Sequence, residues 1–387
     1  MLELITSVKV ERMTPKQTVR VLVVGAGIAG MAATIALRRN GVAVDLIDID
    51  PDWKVAGAGL TITGPTLRAF RQLGVYEDVA TQGYVGEGIR VCTVDGEPVR
   101  DIPTPIPPEA GVCGSGGIAR PVLYKILSAR VLAAGIQPRL GVAVDQLRQD
   151  GAGVDVTFSD GTESRYDMVV GADGVSSRTR AQIFPDAPGP EYTGQSVWRM
   201  FVPRPPEVDR RHYFLGGRAK VGWTPISATE MYLFVVERTP RRVREPHELP
   251  GALVDLLEPY GGYVRRIRAL IDEHTEITFR PLESFYLPTP WHSGRVLLIG
   301  DAAHPTTPQL ASGAGIAVED ALVLAEELAA HGTVGPTFEA FAARREERCR
   351  LVVESSIEIG RLEQSQAPPE AQTAVVERAL AKLVEPV

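Results

Sequence analysis

The string Gly25-Ala26-Gly27-Ile28-Ala29-Gly30 constrains this chain more than any other feature, because of what flanks it. Val19–Gly25 is an apolar run rich in β-branched residues, the pattern of a strand buried on both faces. A helix is expected from about Ile28 to Arg39, with Ala32, Ala33, Ile35, Ala36 and Leu37 on its apolar side and Gly41 at its end. Val42–Ile47 reads as the next strand, completing a βαβ unit. In such a unit Gly25 permits the tight turn, Gly27 lets a pyrophosphate approach the backbone, and Gly30 lets helix and strand pack closely. The helix start then offers free amides and a dipole to an anion, at Ile28 and Ala29. Asp48, eighteen residues past Gly30, is positioned to accept from ribose hydroxyls. The unit predicts dinucleotide binding, and by itself does not separate FAD from NAD.

With 387 residues, the chain is too long for one compact core, and two domains are expected. Gly57–Gly59 leads into a helix around Pro65–Leu73, and Arg120–Ala133 reads as helical. Pro98 to Pro108 looks like an exposed excursion. Val142–Leu147, Val154–Phe158 and Asp167–Val170 read as strands, with turn residues Ser159, Asp160 and Gly161 after the second. From Tyr192 to Arg238 the strands lengthen and carry Trp198, Tyr213, Phe214, Trp223, Tyr232 and Phe234, which reads as a separate antiparallel sheet. Val296–Ile299 returns to the buried parallel type, followed by helices over roughly Ile316–Ala330 and Thr337–Arg361. Gln364–Gln372 reads as a Pro/Gln linker before a short helix, Val375–Leu383. The expected fold is α/β: a Rossmann-like domain with a parallel sheet, plus a second, mainly antiparallel β-sheet domain (α+β), discontinuous in sequence. The boundaries fall at 19–80, 100–190 and 281–362 for the nucleotide domain and at 81–99 and 191–280 for the second; 363–387 is linker and C-terminal helix.

Composition closes off other classes. Net charge is −7, with 41 basic and 48 acidic residues, so no nucleic-acid footprint is expected. The three cysteines, Cys92, Cys113 and Cys349, are widely spaced and suit reduced thiols in the cytoplasm. Six histidines form no HxH or HExxH, so no metal is predicted. No apolar run approaches the ~20 residues of a membrane helix. The first 18 residues read as a flexible lead-in, with Met13 as an alternative start and a partner-binding arm as the functional alternative.

Two later segments carry a family resemblance. Gly171-Ala172-Asp173-Gly174, followed by Ser177 and Arg180, and Gly300-Asp301-Ala302-Ala303-His304-Pro305, with Pro308 and Glu319-Asp320 behind it, resemble the two FAD segments of the class A (single-component) FAD-dependent aromatic hydroxylases. Gly59, Arg120, Phe341, Arg345 and Arg348 match that layout, and the salicylate/urate-hydroxylase-like branch is the most similar. The resemblance implies FAD held by Gly25, Gly27, Ile28, Ala29, Gly30, Asp48, Gly59, Arg120, Asp173, Gly300, Asp301, Pro308, Gly313, Ala314 and Gly315. It implies NADH or NADPH as a transient reductant, and hydroxylation of a small electron-rich aromatic compound by O2 through a C4a-hydroperoxyflavin. The bland alternatives are a turn-capping Asp173 and a helix-capping Asp301. The chain departs from the family at Ala311-Ser312-Gly313, where Gly-Gln-Gly is usual, and at Gly315 in place of a frequent Asn. Ala311 restricts a positive-φ geometry that glycine allows.

Arg199 matches the family's first substrate-sheet strand, and Lys220 and Tyr232 fall where the urate-hydroxylase-like branch carries a basic residue and a tyrosine. A cation there would stabilise a bound anion, and Tyr232 would orient it or relay a proton. The plain alternatives are a solvated edge lysine and a sheet-packing tyrosine. His212 is a weaker base candidate, expected instead on an exposed loop. One GxGxxG and no CxxxxC argue against a disulfide reductase. A flavin halogenase would carry WxWxIP, which is missing; a flavin dehydrogenase or reductase, or a catalytically silent flavin-binding protein, stays open. The assembly expected is a monomer or homodimer.

Overall fold

A computed structural model describes residues 19–55 and 57–387; the expected lead-in lies outside the described residues. At the centre is a six-stranded sheet in the order His292–Ser293, Val296–Leu298, Met168–Gly171, Arg20–Val24, Ala43–Asp48, Arg139–Leu140. All neighbours run parallel except the short His292–Ser293 edge. Val21, Leu22 and Val23 are fully buried, as strands covered on both faces require. The helix Ile28–Arg39 returns the chain across one face and packs against the helix Gly313–His331. Over the other face lies a three-stranded antiparallel sheet, Val144–Gln149, Val154–Phe158 and Glu163–Tyr166, whose inward residues share a core with Leu22 and Ile47. The Ser159–Gly161 turn therefore leads into a strand, Glu163–Tyr166, that the hydrophobic pattern does not reveal, because its residues are mostly polar.

The aromatic segment forms a seven-stranded sheet in the order Thr278–Ser284, Glu191–Pro203, Glu230–Arg238, Lys220–Pro225, Arg211–Phe214, Ile89–Cys92, Pro98–Ile102. Alternation along Glu191–Pro203 divides it into two faces. Trp198 and Met200 point into a core capped by two helices, Leu249–Leu257 and Gly262–Arg268. Val197 points the other way, with Tyr232, Phe234 and Leu282, toward the nucleotide domain.

Two expectations need correction. Pro98–Ile102, expected as part of an exposed excursion, is exposed but paired, forming the outermost strand of this sheet and extending it past residue 99. Pro98 opens an exposed edge strand, where a missing amide costs least. Nor is Gln364–Gln372 a linker: one helix spans Val334–Gln364 and the next begins at Pro369. Gln366 turns the chain with φ 53°, and Val375, Ala379, Leu380 and Leu383 are buried in the nucleotide domain's core.

Candidate active site

Between the parallel-sheet domain and the second face of the aromatic sheet lies a cleft of about 520 Å³. Its floor includes Gly27–Ala29, Asp301 and the Gly313–Ala314 helix start; its opposite wall carries Arg199, Tyr213, Lys220, Tyr232 and Phe234.

At the nucleotide end, the three glycines have separable duties. Gly25 sits at φ 101°, and a Cβ on it would lie 2.5 Å from the Ala172 carbonyl oxygen. A Cβ on Gly30 would lie 1.8 Å from the Gly25 oxygen. Around Gly27, by contrast, a Cβ would meet nothing within 4 Å, so that position opens on the cleft. No side chain caps the helix start and no acidic residue occupies its first turn, which leaves its amides and dipole to an anion. Asp48 accepts from the amides of Ala26 at 2.6 Å and Asp50 at 2.8 Å, bracing the turn while keeping lone pairs to spare. The Tyr124 hydroxyl donates to the Ala26 carbonyl at 2.6 Å, and burial pushes its pKa up to about 12. Arg120 lines the cleft with no carboxylate within ion-pair distance among the described residues.

Asp173 turns away from this role. It accepts from the Ser177 hydroxyl and from the Thr179 amide and hydroxyl, at 2.5, 2.9 and 3.0 Å, which is the turn-capping alternative. Its neighbours Ala172 and Gly174 line the cleft instead.

At the other end, Gly300 takes φ 57° directly after the buried strand and sets Asp301 facing the cleft. The Asp301 carboxylate accepts no hydrogen bond among the described residues, so it caps no helix. Surrounding protein raises its pKa although the side chain is open to the cleft; His304 and Arg120 pull the other way. The loop is held from beneath by Asp320, whose Oδ2 accepts from the Gly300 amide at 2.9 Å and meets His304 Nε2 at 2.7 Å. Arg345, fully buried, donates to Asp320 at 2.8 Å and Glu319 at 2.9 Å. Burial pushes the Asp320 carboxyl up, but His304 and Arg345 outweigh it and bring the pKa to about 2. Burial works against charge on His304 as well, yet Cys349 and Asp320 raise its pKa well above the ordinary value. Glu319 also accepts from Arg348 at 2.8 Å, and Arg68 approaches it at 3.5 Å. Both arginines donate to C-terminal carbonyls, Arg348 to Leu383 and Arg68 to Val384. His304, Asp320 and Cys349 converge closely enough to suggest a metal, but Arg345 donates to both Asp320 and Cys349 and fills the place of a cation.

Pro308, Gly313 and Ala314 line the cleft, and the helix Gly313–His331 begins without a side-chain cap. Ala311 has φ 52° and ψ 31°, the left-handed conformation foreseen at that position. Gly315 serves packing: a Cβ there would lie 2.2 Å from Thr66 Oγ1.

On the aromatic wall, the Tyr232 ring lies over Gly59, where a Cβ would come within 2.1 Å of it. The Tyr232 hydroxyl meets Thr61 Oγ1, which also meets Thr224 Oγ1 at 2.9 Å. Burial raises the Tyr232 pKa, so the phenol stays protonated at neutral pH. Arg199 is half-buried beside it, and lack of solvent lowers its pKa; no carboxylate lies within ion-pair distance among the described residues. Lys220, expected as a free cation or a solvated edge charge, is neither, because its ammonium donates to Glu363 at 2.6 Å. Burial alone would lower the Lys220 pKa, but Glu363 and Tyr213 raise it. His212 departs from both expectations. It is a buried strand residue on the far face, stacked 5.2 Å from Trp223 and bonded to the Arg210 carbonyl, outside the cleft. Thr61, Gln309 and Glu363 went unnoticed in the sequence; no local pattern marks them.

Comparison with known proteins agrees with this geometry. The family described as FAD binding domain matches residues 18–356. The aurachin C monooxygenase/isomerase of Stigmatella aurantiaca is 32% identical, covering 90% of this chain and 91% of that protein. The 2-heptyl-3-hydroxy-4(1H)-quinolone synthase of Pseudomonas aeruginosa is 31% identical, covering 90% of each. In fold, the chain is similar to Klebsiella pneumoniae HpxO, solved with FAD and uric acid, with a TM-score of 0.84 at 23% identity over 95% of this chain and 96% of that one. Sequence and fold thus converge on one assignment: this chain belongs to the FAD binding domain family and is a class A, FAD-dependent aromatic monooxygenase.

Proposed function

We propose that the protein uses NADH or NADPH, FAD and O2 to hydroxylate a small, electron-rich aromatic or heteroaromatic ring bearing an acidic hydroxyl or N–H. The observation that carries this reading is the cleft itself: two uncapped helix starts on one side, and on the other Tyr232, Phe234 and Arg199, which has no carboxylate partner among the described residues. Bound FAD supplies the hydride acceptance and oxygen activation. The chain's own residues do the rest. Amides at Gly27–Ala29 hold the pyrophosphate, and Asp301 accepts from a cofactor hydroxyl. The Gly313–Ala314 helix start faces negative charge on the ring system. Arg199 lowers the pKa of the substrate's acidic group, favouring the electron-rich anion, while Tyr232 orients it with a donated hydrogen bond. Tyr213, Phe234 and Leu282 keep water from the reacting ring.

Relatives support a ring of this size and character: they include a 3-hydroxybenzoate 6-hydroxylase and a 6-hydroxynicotinate 3-monooxygenase. In this reading the protein works in the cytoplasm as a monomer or homodimer, with three unpaired cysteines suited to a reducing compartment. Sedimentation tests the assembly. The decisive assay screens hydroxybenzoates, hydroxypyridines, quinolones and purines for stimulated NAD(P)H oxidation, with O2 uptake and a product heavier by one oxygen atom. Stimulated flavin reduction without O2 consumption would turn the assignment to a dehydrogenase.

A further inference from the structure

Glu363 lies in the last turn of the helix Val334–Gln364, bonded to the Lys220 ammonium that lines the cleft but not itself lining it. Its carboxylate is 6% exposed against 24% for Lys220. Oε1 accepts from Lys220 at 2.6 Å; Oε2 accepts from Gln195 Nε2 at 3.0 Å and Gln309 Nε2 at 3.4 Å. Gln309 also donates to Gln195 Oε1 at 3.0 Å, and a Cβ on Gly360 would crowd that same oxygen at 2.9 Å. The carboxylate is therefore fixed by donors from two strands of the aromatic sheet and from the turn preceding Ala311.

Such a pair presents a dipole rather than a free charge, so its pull on an anion is weaker than that of a lone ammonium and falls off faster with distance. The other charges of the cleft sort accordingly. Glu283 is paired with Arg241 at 2.6 Å, Arg280 stands at the exposed rim, and Arg120, beside Gly57, and Asp301 lie on the nucleotide side, where Arg120 favours the Asp301 charge. Arg199 alone is left uncompensated and half-buried at the aromatic wall, among the described residues.

We infer that Glu363 is a specificity-determining residue: by neutralising Lys220 it leaves Arg199 as the one unpaired, half-buried cation of the aromatic wall among the described residues, and so selects rings with a single acidic hydroxyl or N–H over rings that also carry a carboxylate. This rests on the aromatic hydroxylase reading above. A hydroxybenzoate brings two negative charges once its hydroxyl ionises, and the second finds only a cation already committed to Glu363. A 4-hydroxyquinoline brings one.

The test titrates the FAD-loaded protein with 4-hydroxyquinoline and 3-hydroxybenzoate, reading perturbation of the flavin absorbance. The wild type should prefer the quinoline by roughly tenfold or more. Glu363→Gln, which keeps the shape and unpairs Lys220, should shift that preference toward the benzoate by roughly tenfold. Combining Glu363→Gln with Lys220→Met removes the ion that the single change leaves without its partner, which keeps the test open should the single variant fold poorly; it should restore the wild-type preference. A purely structural Glu363 would not show that reversal. No preference in the wild type, an unchanged ratio in Glu363→Gln, or quinoline affinity lost in the double variant would each overturn the inference while leaving the hydroxylase reading intact. If no aromatic compound perturbs the flavin or stimulates NAD(P)H oxidation, both fall together.

Discussion

Replacing Ala311 with glycine should stabilise this protein, whereas the same change three residues later should weaken it. Ala311 is held at φ 52° and ψ 31° between the Pro308–Leu310 turn and the helix Gly313–His331. The left-handed conformation costs a residue with a Cβ roughly 1–2 kcal/mol, which glycine does not incur. Glycine also loosens the unfolded chain by about 0.4–1 kcal/mol, which offsets part of the relief. The net gain for Ala311→Gly is therefore about 0–1.6 kcal/mol, centred near 0.8. Ala314 sits inside the first turn of the helix, where glycine relieves nothing and costs about 0.5–1 kcal/mol. Equilibrium urea unfolding of both variants, read as midpoints at unchanged slope, puts the two on opposite sides of the wild type. If Ala311→Gly lowers the midpoint as Ala314→Gly does, the strain argument is wrong.

Three further outcomes follow from contacts described above. Gly27→Ala should fold normally yet lose FAD, because its methyl enters open cleft; Gly30→Ala should lose stability by about 1–3 kcal/mol, because its methyl meets the Gly25 carbonyl. Urea midpoints and flavin content after desalting separate the two. Asp320→Asn leaves buried Arg345 and His304 short of a charge partner and should cost about 3–5 kcal/mol. The native Asp320 pKa, about 2, lies below the unfolded value of about 3.9. Its contribution, on the order of 2–3 kcal/mol, is thus present above roughly pH 4 and lost as pH falls toward 2, a slope that Asp320→Asn should remove from acid unfolding curves. Tyr232→Phe keeps the ring over Gly59 but removes the hydroxyl, so FAD content should hold while kcat/KM falls roughly tenfold or more.

What could be read from the chain was what is local. The Val19–Asp48 unit is legible because strand, turn and helix are contiguous, and each glycine's duty follows from its offset within the motif. Ala311 is legible only through the family resemblance, as a Cβ where the family usually carries glycine. Gly59 is not: its need for a bare α-carbon comes from Tyr232, a residue 173 positions away. Nor is the state of Lys220, since its partner Glu363 lies 143 residues on and in another element. His212 was misjudged because alternation in a half-aromatic strand does not say which face meets the cleft and which meets Trp223. Pro98–Ile102 escaped because proline marks turns far more often than edges.

The tail of the chain has a bearing on how the protein is handled and how it ages. Arg68 and Arg348 end on the carbonyls of Leu383 and Val384, and both also reach Glu319, the neighbour of the carboxylate under Gly300. Trimming by a carboxypeptidase through Leu383 would take carbonyl partners from two guanidinium groups that hold Glu319, a single residue from the support of the flavin seat. Fusions and affinity tags behind Val387 therefore risk disturbing these contacts, and slow proteolysis from that end should show first as bleaching of the yellow colour.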